Sequence, residues 1–184
     1  MSSERSEDGV RDLLMKVLYV CVGVDGSWQG EGKRASFDVA GQSLGGVCEA
    51  EGSLKYVLPK GGSLSHKTDI LITARDGRVG ASGARYLGIE VKHQSAVTDV
   101  FKSRAYDMLH LKQTFGGQLL GLLVYVRWVT GISFEQAQKI CYPYDHFIGI
   151  EFSKLQEPGS LAALAGIVAK EIGVTLKGTT ADAG

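Results

Sequence analysis

The eleven residues from Gln118 to Trp128 (Gln-Leu-Leu-Gly-Leu-Leu-Val-Tyr-Val-Arg-Trp) form a nearly continuous apolar run. A strand with one wet face alternates apolar and polar side chains. A run of this length without alternation fits a strand covered on both faces. That requirement limits the architectures open to the chain, because cover on both faces means other elements above and below a sheet.

The segments around the run supply those elements. Leu13, Leu14, Val17, Leu18 and Cys21 recur at helical spacing between about Ser6 and Cys21. Asp69-Ile70-Leu71-Ile72-Thr73 is apolar and β-branched and reads as a strand, and so does Tyr86-Leu87-Gly88-Ile89-Glu90-Val91-Lys92. Asp76-Gly77, Gly80 and Ser82-Gly83 lie between the two and are turn residues. Val97, Phe101, Ala105, Met108 and Leu109 mark an amphipathic helix from near Thr98 that ends by Gly116. A short helix follows from Ser133 to Ile140, with Ser133 and Gln136 spaced as a capping box. A strand is expected over His146 to Phe152 and a closing helix from about Ser160 to Gly173. From Gly23 to Gly62 the pattern is ambiguous. Phe37, Ala40, Leu44, Val47 and Cys48 suit a helix, glycines 41, 45 and 46 oppose it, and short strands, best at Leu54 to Leu58, are the alternative. The expectation is an α/β fold with a mixed central β-sheet flanked by helices. It is a single domain with its core at about 54–172, and 178–184 is a frayed tail.

Composition limits the setting. The chain is 184 residues long, enough for one well-buried domain, and 44% of it is hydrophobic. No stretch approaches the ~18 unbroken apolar residues of a membrane helix. The acidic start, Met1 to Asp8, lacks the basic opening of a secretion signal. Cys21, Cys48 and Cys141 have no partner at metal-ligand spacing and are expected as reduced core residues. These features point to a cytoplasmic, intracellular protein with no membrane partner. Net charge is zero, yet residues 52–112 hold ten Lys/Arg against five Asp/Glu. A locally basic zone of this kind suits contact with phosphates.

If Thr73 and Tyr86 close the hairpin, Asp69 falls opposite Glu90, and such neighbours share a face ~4.5–5.5 Å apart at Cβ. Lys92 shares that face by alternation. Two carboxylates this close repel unless a cation lies between them, and hard divalent ions take oxygen ligands of this kind. The plain alternative is a cross-strand ion pair, worth about 0.2–1 kcal/mol. A second Glu-x-Lys, Glu31-Gly32-Lys33, lies in a Gly-rich stretch with no strand around it.

Asp69, a twenty-residue interval and Glu90-Val91-Lys92 on two strands, followed by a helix and a further strand, resemble the PD-(D/E)XK nuclease superfamily of restriction endonucleases, Holliday-junction resolvases and repair exonucleases. The resemblance spans roughly residues 54–152. It implies a restriction-endonuclease-like core and a Mg²⁺-dependent DNA endonuclease, with Mn²⁺ able to substitute. Asp69 and Glu90 would bind the metal, with the Val91 carbonyl as a further ligand. Lys92 would orient or deprotonate the attacking water, and Gln94 matches a polar position after the lysine. Thr68 stands where many members have proline, and Glu4, Glu7, Glu49 and Glu51 are candidates for an additional acid. The DNA backbone, double-stranded or branched, would meet Lys60, Lys67, Arg75, Arg78, Arg85, Lys102 and Arg104. A homodimer is compatible with cutting both strands. A catalytically inactive module of the same fold that binds DNA or assembles with partners is the rival reading. His66, His93 and His110 lack metal-ligand spacing, and His93 points away from the Glu90 face. Lys102, Tyr106, His110 and Gln113 form a polar stripe on the helix. No Walker A loop or serine-hydrolase arrangement is present.

Overall fold

A computed structural model of the chain describes residues 7–22, 34–38, 45–57, 61–74, 84–94, 98–128, 131–155, 157 and 166. In chain order they form α1 (Glu7–Val22), β1 (Arg34–Asp38), β2 (Gly45–Ala50), β3 (Ser53–Val57), β4 (Ser63–Lys67), β5 (Ile70–Ala74), β6 (Tyr86–Gln94), α2 (Thr98–Phe115), β7 (Leu119–Arg127), α3 (Phe134–Ile140) and β8 (His146–Glu151). Among the described residues six strands make one sheet in the order β1-β2-β5-β6-β7-β8, and β3 and β4 pair separately. The β1-to-β6 half is antiparallel, and β6, β7 and β8 are mutually parallel. The change follows from the connections, since a parallel pair needs a long crossover and α2 and α3 supply the two here. The chain is therefore a mixed α/β fold, with a mixed central sheet and helices on both faces.

The apolar run that constrained the sequence is β7, and Leu122, Leu123, Val124, Tyr125 and Val126 have no exposed surface. Alternate residues enter different cores. Leu122, Val124 and Val126 join Val10, Leu14 and Met15 of α1, and Leu123 and Tyr125 join Phe101 and Met108 of α2 and Ala137 of α3. Burying each such side chain stabilises the fold by about 1.5–3 kcal/mol. The Phe101 and Tyr125 rings meet edge to face, 4.8 Å between centroids. Gly121 lets α2 approach, because a Cβ there would sit 2.8 Å from Met108 Sδ. At the start of α3 both halves of the Ser133–Gln136 capping box are formed. Cys48 and Cys141 are free and buried, and the side chain of Cys21 lies outside the described residues.

Where it is described, the segment that sequence pattern left open forms strands. Phe37 lies in β1, and Val47 and Cys48 lie in β2, whose first two residues are glycines 45 and 46. The helix alternative fails there, while Ala40 and Leu44 lie outside the described residues. The strand expected at 54–58 is β3, and its partner β4, a polar Ser-Leu-Ser-His-Lys, had no apolar alternation to announce it. The core also takes in α1 and Cys48 of β2, both ahead of the stretch 54–172 expected to hold it. The turn at 75–83, the second Glu-x-Lys, the closing helix at 160–173 (Gly166 excepted) and the tail at 178–184 lie outside the described residues. No helix among the described residues is long and apolar enough to cross a membrane.

One feature of the topology positions the site. The β2–β5 ladder pairs Ala50 with Ile70, and the β3–β4 ladder pairs Ser53 with Lys67, so both keep the same register. Between them the Glu51 amide donates to the Asp69 carbonyl and the Thr68 amide to the Gly52 carbonyl, both at 2.9 Å. The two ladders are thus one long antiparallel ribbon that bends at Glu51–Gly52. Glu51 takes φ 53°, a conformation uncommon for a residue with a side chain. A Cβ on Gly52 would overlap the Leu71 side chain. Arg11 of α1, 5% exposed, holds the bend through a 3.1 Å contact with the Glu51 carboxylate. Beyond the bend the ribbon lies over α2, where Leu54 is buried and Tyr56 packs on Phe115.

Candidate active site

Strand β6 alternates with period two, so Leu87, Ile89 and Val91 pack under α1. By the same alternation Gly88, Glu90 and Lys92 turn to the α2 side, where Glu90 pairs in register with Leu123 and Lys92 with Tyr125. Both charged side chains are buried, Glu90 at 3% exposure and Lys92 at 4%. Strand β5 pairs with β6 through Ile70↔Ile89 and Thr73↔Tyr86, the register that sequence spacing implied. Continued one step, that register sets Asp69 across from Glu90.

Asp69 lies at the bend, where the chain has left β4 and not yet entered β5. Its Oδ2 accepts the Val91 amide at 2.6 Å and lies 4.0 Å from Lys92 Nζ. Glu90 has His66 Nε2 3.7 Å from its Oε1 and Arg104 Nε 4.0 Å from its Oε2. The contacts with Lys92, His66 and Arg104 are all longer than a hydrogen bond. Glu90 Oε1 is buried and has no hydrogen-bond partner among the described residues. Arg104 is steadied from behind, with Asp107 Oδ2 3.8 Å from its Nη1 and the Tyr144 hydroxyl donating to its carbonyl at 3.4 Å.

Burial, and next the negative charge of Glu90, push the Asp69 carboxyl above its ordinary value of 3.8. The Val91 amide, Lys92 and Arg104 pull the other way. Burial raises the Tyr144 phenol as well, with Glu90 the next cause. Two carboxylates are thus held close enough to feel each other, which is the situation a bound cation relieves.

The donor set fits a hard divalent ion on two counts. An unpaired buried oxygen of Glu90 stands ready, and the repulsion between the acids would fall on binding. Among the described residues no group of three or more His, Cys, Asp or Glu is arranged to hold a metal. Mg²⁺ commonly takes only one or two carboxylates from a protein and leaves its other positions to water and phosphate.

The three sequence-chosen residues, Asp69, Glu90 and Lys92, are brought together on one face. Gln94 closes β6, paired with Arg127, and its side chain lies outside the described residues. Lys67, Arg85 and Lys102 are exposed, Lys102 beside Asp99 at 3.8 Å and Arg85 over the Tyr86 ring. Arg104, expected on a DNA backbone, is turned toward Glu90, while Lys60, Arg75 and Arg78 lie outside the described residues. Of the acids considered as additional ligands, Glu51 is engaged by Arg11. His93 packs away from the site, accepting from Trp128 Nε1 at 2.9 Å and meeting Phe152 edge to face. Sequence reasoning missed His66, Arg104 and Tyr144 as neighbours of Glu90. His66 lies three residues before Asp69, but only the ribbon's path shows that it reaches the same carboxylate. No protein-family model and no curated protein matches this sequence.

Proposed function

We propose that the chain is a metal-dependent DNA endonuclease with a restriction-endonuclease-like core, acting on double-stranded or branched DNA in the cytoplasm. The observation that carries this reading is the convergence of Asp69, Glu90 and Lys92. Lys92 Nζ is 4.0 Å from Asp69 Oδ2, beside a buried Glu90 oxygen without a hydrogen bond. A divalent cation held by Asp69, Glu90 and the Val91 carbonyl would neutralise charge at the scissile phosphate and make a bound water more acidic. The Val91 amide fixes the Asp69 carboxylate, so one of its oxygens keeps its direction. Lys92, anchored in a buried strand, points its amine at the same place and stabilises negative charge that grows on the phosphate. Arg104 and His66 hold Glu90 in position. Lys67, Arg85 and Lys102 would meet the flanking backbone, and a homodimer would set two such sites on the two strands.

The test is plasmid nicking by wild type and Lys92→Ala, each with Mg²⁺ and with EDTA. Wild type with Mg²⁺ should nick, and the variant should be slower by about 10²–10⁴-fold, the range for loss of a positioned proton-transfer or charge-stabilising group. Equal rates in all four reactions discard the proposal. One observation favours an inactive DNA-binding module instead. Lys92 and Arg104 already face Asp69 and Glu90, two cations against two anions, so the cluster is balanced without a metal. The two readings part on thermal stability. Mn²⁺ or Mg²⁺ raises the melting temperature of a metal site, and Asp69→Asn removes that shift. A balanced ion cluster shows no shift to remove.

A further inference from the structure

Beside the carboxylate cluster a cleft of about 240 Å³ opens between the bent ribbon and α2. Tyr56 and His66 line it from the ribbon, and Tyr106, Asp107, His110 and Leu111 line it from the helix. Two of these residues also reach the cluster. His66 Nε2 lies 3.7 Å from Glu90, and Asp107 pairs with Arg104, itself 4.0 Å from Glu90. Whatever fills the cleft therefore adjoins the group bound at the acids.

The lining narrows the chemistry of the occupant. Tyr106 is 71% exposed and belongs to neither core, so packing does not account for its ring. Tyr56 and His110 present a second aromatic surface, their centroids 6.1 Å apart and tilted by 56°. Asp107 repels a phosphate but accepts from amino and imino N–H groups, and imidazoles both donate and accept. Flat π faces with hydrogen-bonding edges are what a nucleobase presents. The volume lies below the ~300–1,000 Å³ of pockets for drug-sized ligands, a scale that suits one base.

We propose that this cleft binds one unpaired nucleobase of the strand whose phosphate lies at Asp69, Glu90 and Lys92. The base stacks on Tyr106 or Tyr56, and Asp107 and His110 meet its edge. A base in the cleft has left the duplex stack. The substrate class is then DNA with an unpaired nucleotide beside the cut, such as a single strand, flap or junction, in preference to unbroken duplex. The position of the phosphate rests on the nuclease reading, but the stacking does not.

The experiment uses the full chain in EDTA, so that nothing is cut. Fluorescence anisotropy follows binding of a labelled mixed-sequence single strand and of the same sequence as duplex. Wild type should favour the single strand. Tyr106→Ala should weaken that binding by about fivefold to a hundredfold, the cost of losing one aromatic stacking partner, and leave duplex binding unchanged. His110→Ala should weaken it less. Both positions are exposed, so melting temperatures should match wild type. Single-strand affinity unchanged in both variants overturns the subsite, as does a wild-type preference for duplex. Mg²⁺-dependent cleavage of the labelled single strand and of plasmid by wild type, scored in parallel, separates the two proposals. Cleavage of either with unchanged affinities removes the cleft alone. A Tyr106 effect with neither substrate cut upholds the base subsite and removes the nuclease.

Discussion

Under α1, strand β6 presents Leu87, Ile89 and Val91, none of them exposed, to Val10, Leu14 and Met15. Under α2 the same strand presents Gly88, Glu90 and Lys92 among Leu123, Tyr125 and Phe101. One face needs only shape and apolar surface. The other carries two buried charges whose desolvation must be offset by partners from elsewhere in the chain: Asp69 at the bend and Arg104 on α2. Apolar residues of similar volume often serve stability as well as or better than a buried ion pair. The two faces should therefore contribute differently to stability, and the difference can be tested face by face.

The largest effect is expected from making the apolar face resemble its opposite. Ile89→Asp puts a carboxylate among Val10, Leu14 and Met15 with no cation to meet it. It should cost about 3–5 kcal/mol or more in urea denaturation, enough to remove most of the stability of an ordinary domain. A loss below ~1 kcal/mol would mean that this face is not the close-packed core described. Next comes Lys92→Ala, read here as stability rather than activity. It leaves Asp69 and Glu90 less compensated and should cost about 1–3 kcal/mol at neutral pH, less than Ile89→Asp because Arg104 remains. A larger loss than for Ile89→Asp would reverse the ranking of the two faces.

The smallest change concerns the Asp69 proton. An acid whose pKa is raised on folding binds its proton more tightly in the native state. Ionised Asp69 therefore costs stability at neutral pH, and the cost disappears as pH falls through the raised value. Asp69→Asn keeps an acceptor for the Val91 amide and removes the charge. Without metal it should melt slightly above wild type at pH 7, and the gap should close as pH falls toward the ordinary carboxylate range. A variant that melts lower at pH 7 would show that attraction to Lys92 and Arg104 outweighs the burial and the repulsion from Glu90.

Those expectations could be framed because much of the β6 neighbourhood was legible in sequence. Sequence pattern located β5, β6, β7, α2 and α3 to within a residue or two: β5 and β7 by apolar runs, β6 and α2 by their periods, and α3 by its capping residues. The Thr73–Tyr86 pairing followed from closing one hairpin, and that register brings Asp69, Glu90 and Lys92 to one face. β4 was not legible, because Ser63–Lys67 is mostly exposed and polar and leaves no periodic trace. β1 and β2 were equivocal, since glycines there oppose a helix without specifying a strand. His66 and Arg104 were missed as neighbours of Glu90 for another reason. They converge on it from separate elements, and convergence of that kind has no signature in spacing.

The bend at Glu51–Gly52 bears on how such a molecule can change over generations. Ladder register is the same on either side of it, so the arm beyond continues as a two-stranded lever as far as its last described pair, Val57 and Ser63. Residue pairs added at that tip lengthen the lever and leave Tyr56 and His66 where they are. A single insertion between the bend and Tyr56 would instead turn both the ring and its neighbours to the opposite side. An added pair beyond Tyr56 changes only reach, whereas an added residue at the root changes which side the ring faces.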